Sequence, residues 1–209
     1  MKIIGEPKHV PFGPFLAKMH IDADFCTRLL KVGKTLIKKH NPYLAGNIHH
    51  EYAFDLKKDA WIKEEFKVAV NTWLTGFKQF SGDHQFRPTY RLHPLWINFQ
   101  KPGEYNPIHT HPNCNLSMIL FLEIPNEMLE EKHITKGTPP GHTGFIYGED
   151  TPGGFITHQI IRPEANVLYM FPSGLRHYVS HFNSKVTRTS VSGNIIFDIS
   201  VPKVERVNK

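Results

Sequence analysis

Two histidines separated by a single residue, His109 and His111, are the part of the sequence best suited to carry chemistry. They follow a Pro-Gly turn and lie between two apolar segments that are predicted to be strands. Side chains on extended backbone repeat every two residues, so both imidazoles are expected on the same face of a strand. Imidazole nitrogens bind iron, zinc and related cations. The spacing therefore predicts two ligands for one metal ion.

A third ligand is predicted downstream, at His177. An apolar strand ends at Phe171, the chain turns through Pro172 to Gly174, and His177 follows at the start of another strand. Two ligands do not complete a metal site, and this segment presents the further imidazole that such a site needs.

A late strand carries polar residues at alternate positions, which is unusual for a strand in the middle of a sheet. One face of this strand presents Arg188, Ser190, Ser192 and Asn194. A buried arginine is costly unless it meets an anion. Arg188 is therefore predicted to bind an external carboxylate, and a structural carboxylate within the chain is the alternative.

Taken together, these segments resemble the iron(II)- and 2-oxoglutarate-dependent oxygenases. The segments are Gly103 to Pro112, which has the pattern Gly-x-Tyr-x-x-x-His-x-His-Pro, and Phe171 to His177, which has the pattern Phe-Pro-Ser-x-Leu-x-His. Arg188 and Ser190 follow them. The chain is most similar to a family of small bacterial and phage-type members, and the similarity covers about Trp96 to Asn194.

The resemblance implies that His109, His111 and His177 bind Fe(II), and that 2-oxoglutarate and O2 are cosubstrates. It implies further that Arg188, with Ser190, binds the distal carboxylate of 2-oxoglutarate. The less specific candidates for cosubstrate contacts are Asn98, Tyr105 and Ser117. Most of the superfamily has an acidic residue where this chain has His111, whereas the nearer family has histidine. The implied reaction hydroxylates a substrate while 2-oxoglutarate is decarboxylated to succinate.

Two other interpretations remain open. The same histidine segments also resemble the cupins, some of which use a three-histidine iron site without 2-oxoglutarate. The glutamate that cupins carry shortly after the second histidine is absent, and cupins give no reason for Arg188 and Ser190. The third interpretation is a jelly-roll protein without catalytic activity, which binds zinc or no metal at this position.

The hydrophobic pattern predicts two helices followed by many short strands. The helices are predicted from Asp22 or Asp24 to about His40, and from about Asp59 to Phe80. The strands are predicted at 91–100, 106–111, 115–124, 143–148, 154–161, 166–171, 177–182 and 187–199. Residues 1–20 are expected to be irregular, and the polar insert 125–142 to be exposed.

This order of elements predicts one mainly β domain, a double-stranded β-helix of the jelly-roll, cupin-like type buttressed by helices. Residues 1–89 would form a helical support region, residues 90–200 the β-helix core, and residues 201–209 a flexible tail. The substrate is expected to be a small molecule or a peptide, bound by the loops 42–54, 83–90 and 125–142.

Composition excludes some classes of protein. The net charge is +6, but no cluster of basic and aromatic residues indicates nucleic-acid binding. No apolar run is long enough to span a membrane. With Cys26 and Cys114 as the only cysteines, a disulfide framework is excluded and a reducing cytoplasm is favoured, which includes the host cytoplasm if the protein is encoded by a phage. The oligomeric state is not predicted.

Overall fold

The computed structural model describes residues 1–10, 13–132, 137–148 and 157–198. The first two elements are the strands β1 (Ile3–Val10) and β2 (Leu16–Ile21), which form an antiparallel hairpin. This corrects the prediction that residues 1–20 are irregular. The apolar residues Ala17, Met19 and Ile21 alternate with Lys18 and His20 in β2, and their burial favours a strand in spite of the nearby prolines.

Two helices follow the hairpin, as predicted, but the first is shorter than expected. Helix α1 (Ala23–Gly33) begins at the cap Asp22, whose Oδ1 accepts a hydrogen bond from Phe25 N at 2.7 Å. It ends well before His40. Gly33 lies so close to Ile97 that an added Cβ would meet the Ile97 Cδ1 atom at 2.4 Å. Helix α2 (Ala60–Ser81) ends at Gly82, which has the positive φ angle of 71° common at helix C-termini.

The remaining elements are mainly strands, with a 3-10 turn at Asn41–Tyr43 and a short helix α3 (Asn126–Leu129). The strands are β3 (Glu51–Ala53), β4 (Thr89–Gln100), β5 (Asn106–His109), β6 (Leu116–Glu123), β7 (Thr143–Ile146), β8 (His158–Ile161), β9 (Val167–Pro172), β10 (Arg176–Val179) and β11 (Arg188–Asp198). Strands β4 to β11 correspond to the predicted strands from residue 90 onward. The first residues of the predicted strand 154–161 and the tail 201–209 lie outside the described residues.

The insert 125–142 is not wholly exposed as predicted. Met128 and His142 are both buried, with 0% and 8% exposure. Met128 packs directly against the backbone of Gly141, where an added Cβ would meet its Sδ atom at 2.2 Å. The polar composition of the insert gave no indication that Met128 is buried.

The strands form two antiparallel sheets that face each other. The large sheet has the order β1-β2-β9-β6-β11-β4-β3, and the small sheet has the order β5-β10-β7-β8. A core of aliphatic and aromatic residues fills the space between the large sheet and helices α1 and α2. A second core, which includes Phe121, Phe145 and Phe171, lies between the two sheets. This is the helix-buttressed jelly roll that the sequence predicts.

Alternation along β11 determines which residues reach the space between the sheets. Val191 and Ile195 belong to the core on the helix side, whereas Ser192 and Asn194 line a cavity on the opposite face. Among the described residues, no helix combines the length and the apolar character that crossing a bilayer requires.

The other end of the large sheet is closed by a short strand with a covered edge. Strand β3 pairs with β4, with Glu51 opposite Asn98 and Ala53 opposite Trp96. On its outer side, Glu51 O accepts a hydrogen bond from His40 N at 2.9 Å. Ala53 N donates to Lys38 O at 3.0 Å. Residues 38–40 therefore run along the outer edge of β3.

Candidate active site

The fold brings the three predicted histidines together at one end of the space between the sheets. His109 and His177 are opposite each other in the β5–β10 pair, and their ring centroids are 4.2 Å apart. His111 follows two residues after β5, and its Nε2 lies 3.3 Å from Nε2 of His109. One ligand atom from each of the three residues lies within 4.8 Å of the others. The group is therefore compact enough to surround a single metal ion.

Hydrogen bonds fix the orientation of all three rings. Each Nδ1 has an oxygen acceptor: Pro107 O for His109 at 2.7 Å, Asn194 Oδ1 for His111 at 2.7 Å, and Leu175 O for His177 at 2.9 Å. An Nδ1–H that donates to oxygen leaves the lone pair on Nε2 free. The Nε2 lone pairs of all three histidines are thus available to bind one metal ion.

Burial also favours the neutral form of these rings. Burial, together with the charge of the neighbouring histidines, lowers the pKa of His177 to about 3 and that of His111 to about 4. Burial likewise lowers the pKa of His109. Only the neutral imidazole binds a metal ion. The environment therefore keeps the ring nitrogens ready for a metal at neutral pH.

The support of His111 comes from residues that the sequence did not assign to the site. Asn194 Oδ1 accepts from His111 and also from Ser117 Oγ, at 3.0 Å. The ring of Trp96 stacks against His111 with centroids 6.0 Å apart. Asn194 lies on the same face of β11 as Arg188, and this alternation of polar residues was the sequence feature that could have identified it as a site residue.

Arg188 lies behind the wall of the same cavity and is almost completely buried, with 1% exposure. Its guanidinium makes only long contacts with neutral groups, to Gln100 Oε1 at 3.3 Å, Thr143 Oγ1 at 3.4 Å and Ser190 Oγ at 3.5 Å. Its Nε has no acceptor. Within the described ranges, no carboxylate lies within 4.0 Å of it. The alternative prediction, a structural ion pair, therefore lacks a carboxylate partner for Arg188 in this part of the chain.

Arg188 nevertheless remains charged at neutral pH. Burial lowers the pKa of its guanidinium to about 10. The face of Phe121 lies 5.1 Å away and gives a weak cation–π contact. A buried cation with these partners is incompletely compensated.

The structure separates the other predicted cosubstrate contacts into two groups. Asn98 and Ser190 lie beside Arg188, where Asn98 Nδ2 donates to Ser190 O at 3.3 Å. Ser117 is fully buried behind His111, and its hydroxyl is used by Asn194. Tyr105 is 43% exposed and does not line the cavity. The fold thus places Asn98 and Ser190 near Arg188, Ser117 behind His111, and Tyr105 outside the residues that line the cavity.

A cavity of about 1440 Å³ connects these groups to the surface. Its inner end is lined by the three histidines, Trp96, Asn98 and Thr143. It opens between the segments 35–45 and 53–59, so the predicted substrate loop 42–54 contributes to it. The described residues of the other two predicted loops, 83–90 and 125–142, do not line it.

Comparison with known proteins agrees with this geometry. Residues 94–194 match the model of a family described as "Putative 2OG-Fe(II) oxygenase". None of the curated proteins compared with the chain matches it.

Three solved structures resemble the fold. HygX from Streptomyces hygroscopicus, with nickel and 2-oxoglutarate bound, has a TM-score of 0.57 at 10% identity, covering 86% of this chain and 82% of its own. A Pseudomonas putida prolyl-4-hydroxylase has a TM-score of 0.55 at 14% identity, covering 88% and 93%. An oxidoreductase of the 2OG-Fe(II) oxygenase family from Burkholderia pseudomallei has a TM-score of 0.51 at 13% identity, covering 87% and 84%.

At these identities the solved structures show a common fold. The family match covers just under half of the 209 residues, and it includes His109, His111, His177 and Arg188. The family match and the shared fold therefore support a place for this chain among the iron(II)- and 2-oxoglutarate-dependent oxygenases, which are enzymes.

Proposed function

We propose that this enzyme hydroxylates a substrate while converting 2-oxoglutarate and O2 to succinate and CO2. The observation that carries this proposal is Arg188, a buried guanidinium that has no anionic partner among the described residues and that contacts Thr143, which lines the same cavity as the three converging imidazoles. A folded chain keeps an uncompensated buried cation at a considerable cost, which a ligand carboxylate would remove. 2-Oxoglutarate carries such a carboxylate at the end remote from its keto-acid group.

The residues of the site fit both Fe(II) and 2-oxoglutarate. His109, His111 and His177 would hold Fe(II) through Nε2, because their Nδ1 atoms are already used as donors. Arg188 would bind the distal carboxylate of 2-oxoglutarate, and its orphaned Nε would gain an acceptor. Ser190 and Thr143 lie within 3.5 Å of the guanidinium and would complete the polar end of the cosubstrate pocket.

When bound, Fe(II) supplies the redox chemistry by which R–H, 2-oxoglutarate and O2 give R–OH, succinate and CO2. The protein contributes orientation and protection from water. Phe145 and Phe171 pack on His177, with centroids 5.9 and 4.8 Å from its ring. This packing excludes solvent from the inner side of the ligand. Trp96 forms the corresponding apolar surface against His111.

We propose that the substrate is a small metabolite or a peptide. The cavity is larger than the roughly 300–1,000 Å³ that encloses a typical small ligand. It therefore has room for 2-oxoglutarate together with a second molecule. The similar Pseudomonas putida structure is a prolyl-4-hydroxylase, and this supports a peptidyl substrate as one option. Free thiols at Cys26 and Cys114 fit a reducing compartment, so we place the enzyme in the cytoplasm.

The test is an anaerobic titration of 2-oxoglutarate into the Fe(II) protein, followed by the weak visible charge-transfer band of the chelate. Succinate formation after admission of O2 is the second measurement. The proposal predicts both signals in the wild type. A matched control is Arg176→Ala, since Arg176 is an exposed arginine beside His177 that donates to Gly148 O. This variant should retain the band and the succinate. Absence of both signals in the iron-loaded wild type would favour the three-histidine cupin interpretation.

A further inference from the structure

A second buried ionisable residue, Glu51, lies on the wall of the active-site cavity, on the strand next to that of Asn98. It is 1% exposed and lines the cavity. Its position follows from the β3–β4 register, in which Glu51 is opposite Asn98 and Ala53 is opposite Trp96. Side chains two residues apart share a face of a sheet, so Glu51 lies on the same face as Trp96 and Asn98.

The carboxyl group of Glu51 is poorly satisfied by the protein. Among the residues that the structure describes, the one hydrogen bond to this carboxyl group comes from Asn41 Nδ2, at 3.2 Å from Oε2. A carboxylate has about four acceptor sites. In the described part of the chain, no lysine, arginine or histidine lies within 4.0 Å of it. Asn41 Oδ1 is also buried and lacks a donor. The carboxyl group of Glu51, which lines the cavity, therefore has most of its acceptor sites unused.

The neighbouring carboxylate, Glu104, shows what a structural carboxylate looks like in this protein. It accepts from His49 N at 3.0 Å, from His49 Nδ1 at 2.7 Å and from Lys101 N at 2.7 Å. Those hydrogen bonds lower the pKa of Glu104 although burial opposes them. Burial, and after it the charge of Glu104, raise the pKa of Glu51 to about 8. The fold thus compensates Glu104 and leaves Glu51 uncompensated.

We propose that Glu51 binds a cationic nitrogen group of the substrate, an ammonium or a guanidinium. This inference rests on the proposed function, because it takes the cavity to be the substrate site of the oxygenase. A cationic N–H donor supplies what Glu51 lacks, a positive charge and several hydrogen-bond donors. The bound group would displace the proton that Glu51 holds at neutral pH.

The position of Glu51 also orients the rest of such a substrate. Trp96 lies two residues along β4 from the partner of Glu51, roughly 7 Å along the strand, and its ring stacks on His111. A substrate held at Glu51 by its nitrogen would lay its carbon chain across Trp96 towards the histidines. The carbon that is oxidised would therefore lie several bonds from the nitrogen.

Lysines at the cavity mouth favour an anionic ligand instead, and binding of an anion is therefore the competing outcome of the test. Lys38, Lys39, Lys57 and Lys58 line the opening, where a substrate anion would meet them. All four are exposed, so solvent screens their charges. Glu51 is screened far less because it is buried. The buried carboxyl group of Glu51, rather than the exposed lysines at the mouth, should decide which ligand the cavity prefers.

The experiment measures binding to the full chain by calorimetry, with and without Mn²⁺ and 2-oxoglutarate. The probes are 4-phenylbutylamine and 4-phenylbutylguanidine, with 4-phenylbutanol as the uncharged analogue and 4-phenylbutyrate as the anionic analogue. The wild type should bind the two cations at least tenfold more tightly than the alcohol or the acid. Glu51→Gln, which keeps the shape of the side chain, should remove this preference.

Two variants separate this inference from the proposed function. Asp55→Asn changes an exposed carboxylate of the same cavity, whose Oδ1 accepts from the backbone of its own loop, and it should leave the preference for cations unchanged. Arg188→Met should weaken 2-oxoglutarate and spare the cationic probes. Glu51→Gln should show the opposite pattern.

Cationic probes that bind no better than 4-phenylbutanol, or equally well to the wild type and Glu51→Gln, would overturn the role of Glu51. Tighter binding of 4-phenylbutyrate would overturn it in favour of the lysines. If 2-oxoglutarate alone failed to bind, the proposed function would fail while the role of Glu51 as a cation site stood.

Discussion

Replacing Arg188 by methionine tests whether this arginine serves the ligand or the fold. The two side chains have similar volume, so the change removes the charge without leaving a large cavity. If Arg188 awaits a carboxylate, the wild type without 2-oxoglutarate contains a buried cation that only neutral groups contact, at 3.3–3.5 Å. Replacing buried charges by apolar residues of similar volume is often neutral or stabilises a protein by about 1–4 kcal/mol.

The magnitude follows from the contacts that are lost and gained. Gln100 Oε1 is buried and loses a donor in the variant, at a cost of about 1–3 kcal/mol. The free energy of unfolding without 2-oxoglutarate should therefore be unchanged or rise by up to about 2 kcal/mol. In the wild type, 2-oxoglutarate at a hundred times its Kd adds about 2.7 kcal/mol. Arg188→Met should lose most of that increment, because the carboxylate loses its charge-assisted partner and affinity falls by about 2–4 kcal/mol.

The assay is chemical or thermal unfolding of the Mn²⁺-loaded protein, with and without 2-oxoglutarate. For a chain of this size, 1 kcal/mol corresponds to a change in Tm of about 2–4 °C. Arg176→Met is the control, and it should leave the 2-oxoglutarate increment intact. A structural role for Arg188 would give the reverse result. The variant would then lose several kcal/mol without 2-oxoglutarate, and the cosubstrate would still stabilise what remained folded.

Three further predictions concern the rest of the site. His111→Asp should retain Fe(II) in equilibrium binding, because carboxylates suit hard divalent ions; complete loss of metal from a folded variant would refute this. Asn194→Ala should weaken metal binding by about 10–100-fold, whereas Ser117→Ala should change it much less, as a competitive chelator assay would show. Glu51→Gln should gain stability over the wild type as pH rises from about 4.5 to about 8. The carboxyl of Glu51 keeps its proton in the ligand-free folded state over this range and loses it on unfolding. A pH-independent difference in the free energy of unfolding would contradict the altered pKa.

Periodicity predicted most of the architecture, because a jelly roll is built from alternating strands joined by turns. It placed the β11 residues Arg188 and Ser190 on one face, and it placed His109 and His111 near enough to meet His177. The first hairpin was missed because prolines around β2 (Leu16–Ile21) obscured the alternation within that strand.

The surroundings of other candidate residues depend on contacts that a sequence pattern does not contain. Tyr105 lies between strands β4 and β5, where the two-residue rule does not apply, and its side chain faces outward. Ser117 is on the expected face of its strand, but Asn194 takes its hydroxyl. Glu51 lies within the predicted substrate loop 42–54, but nothing in the sequence singled it out, because its position on the cavity wall results from the register of a three-residue strand against β4.

The covered edge of β3 limits how a peptide substrate could enter. Many proteins hold an extended peptide by β-augmentation, in which the peptide adds a strand to an open sheet edge. Here the segment 38–40 already uses Glu51 O and Ala53 N on the side of the sheet that borders the cavity. An incoming peptide would have to displace this segment before its backbone could pair. For the proposed peptide substrate, recognition at this edge should therefore depend on a side chain inserted into the cavity rather than on backbone pairing with β3.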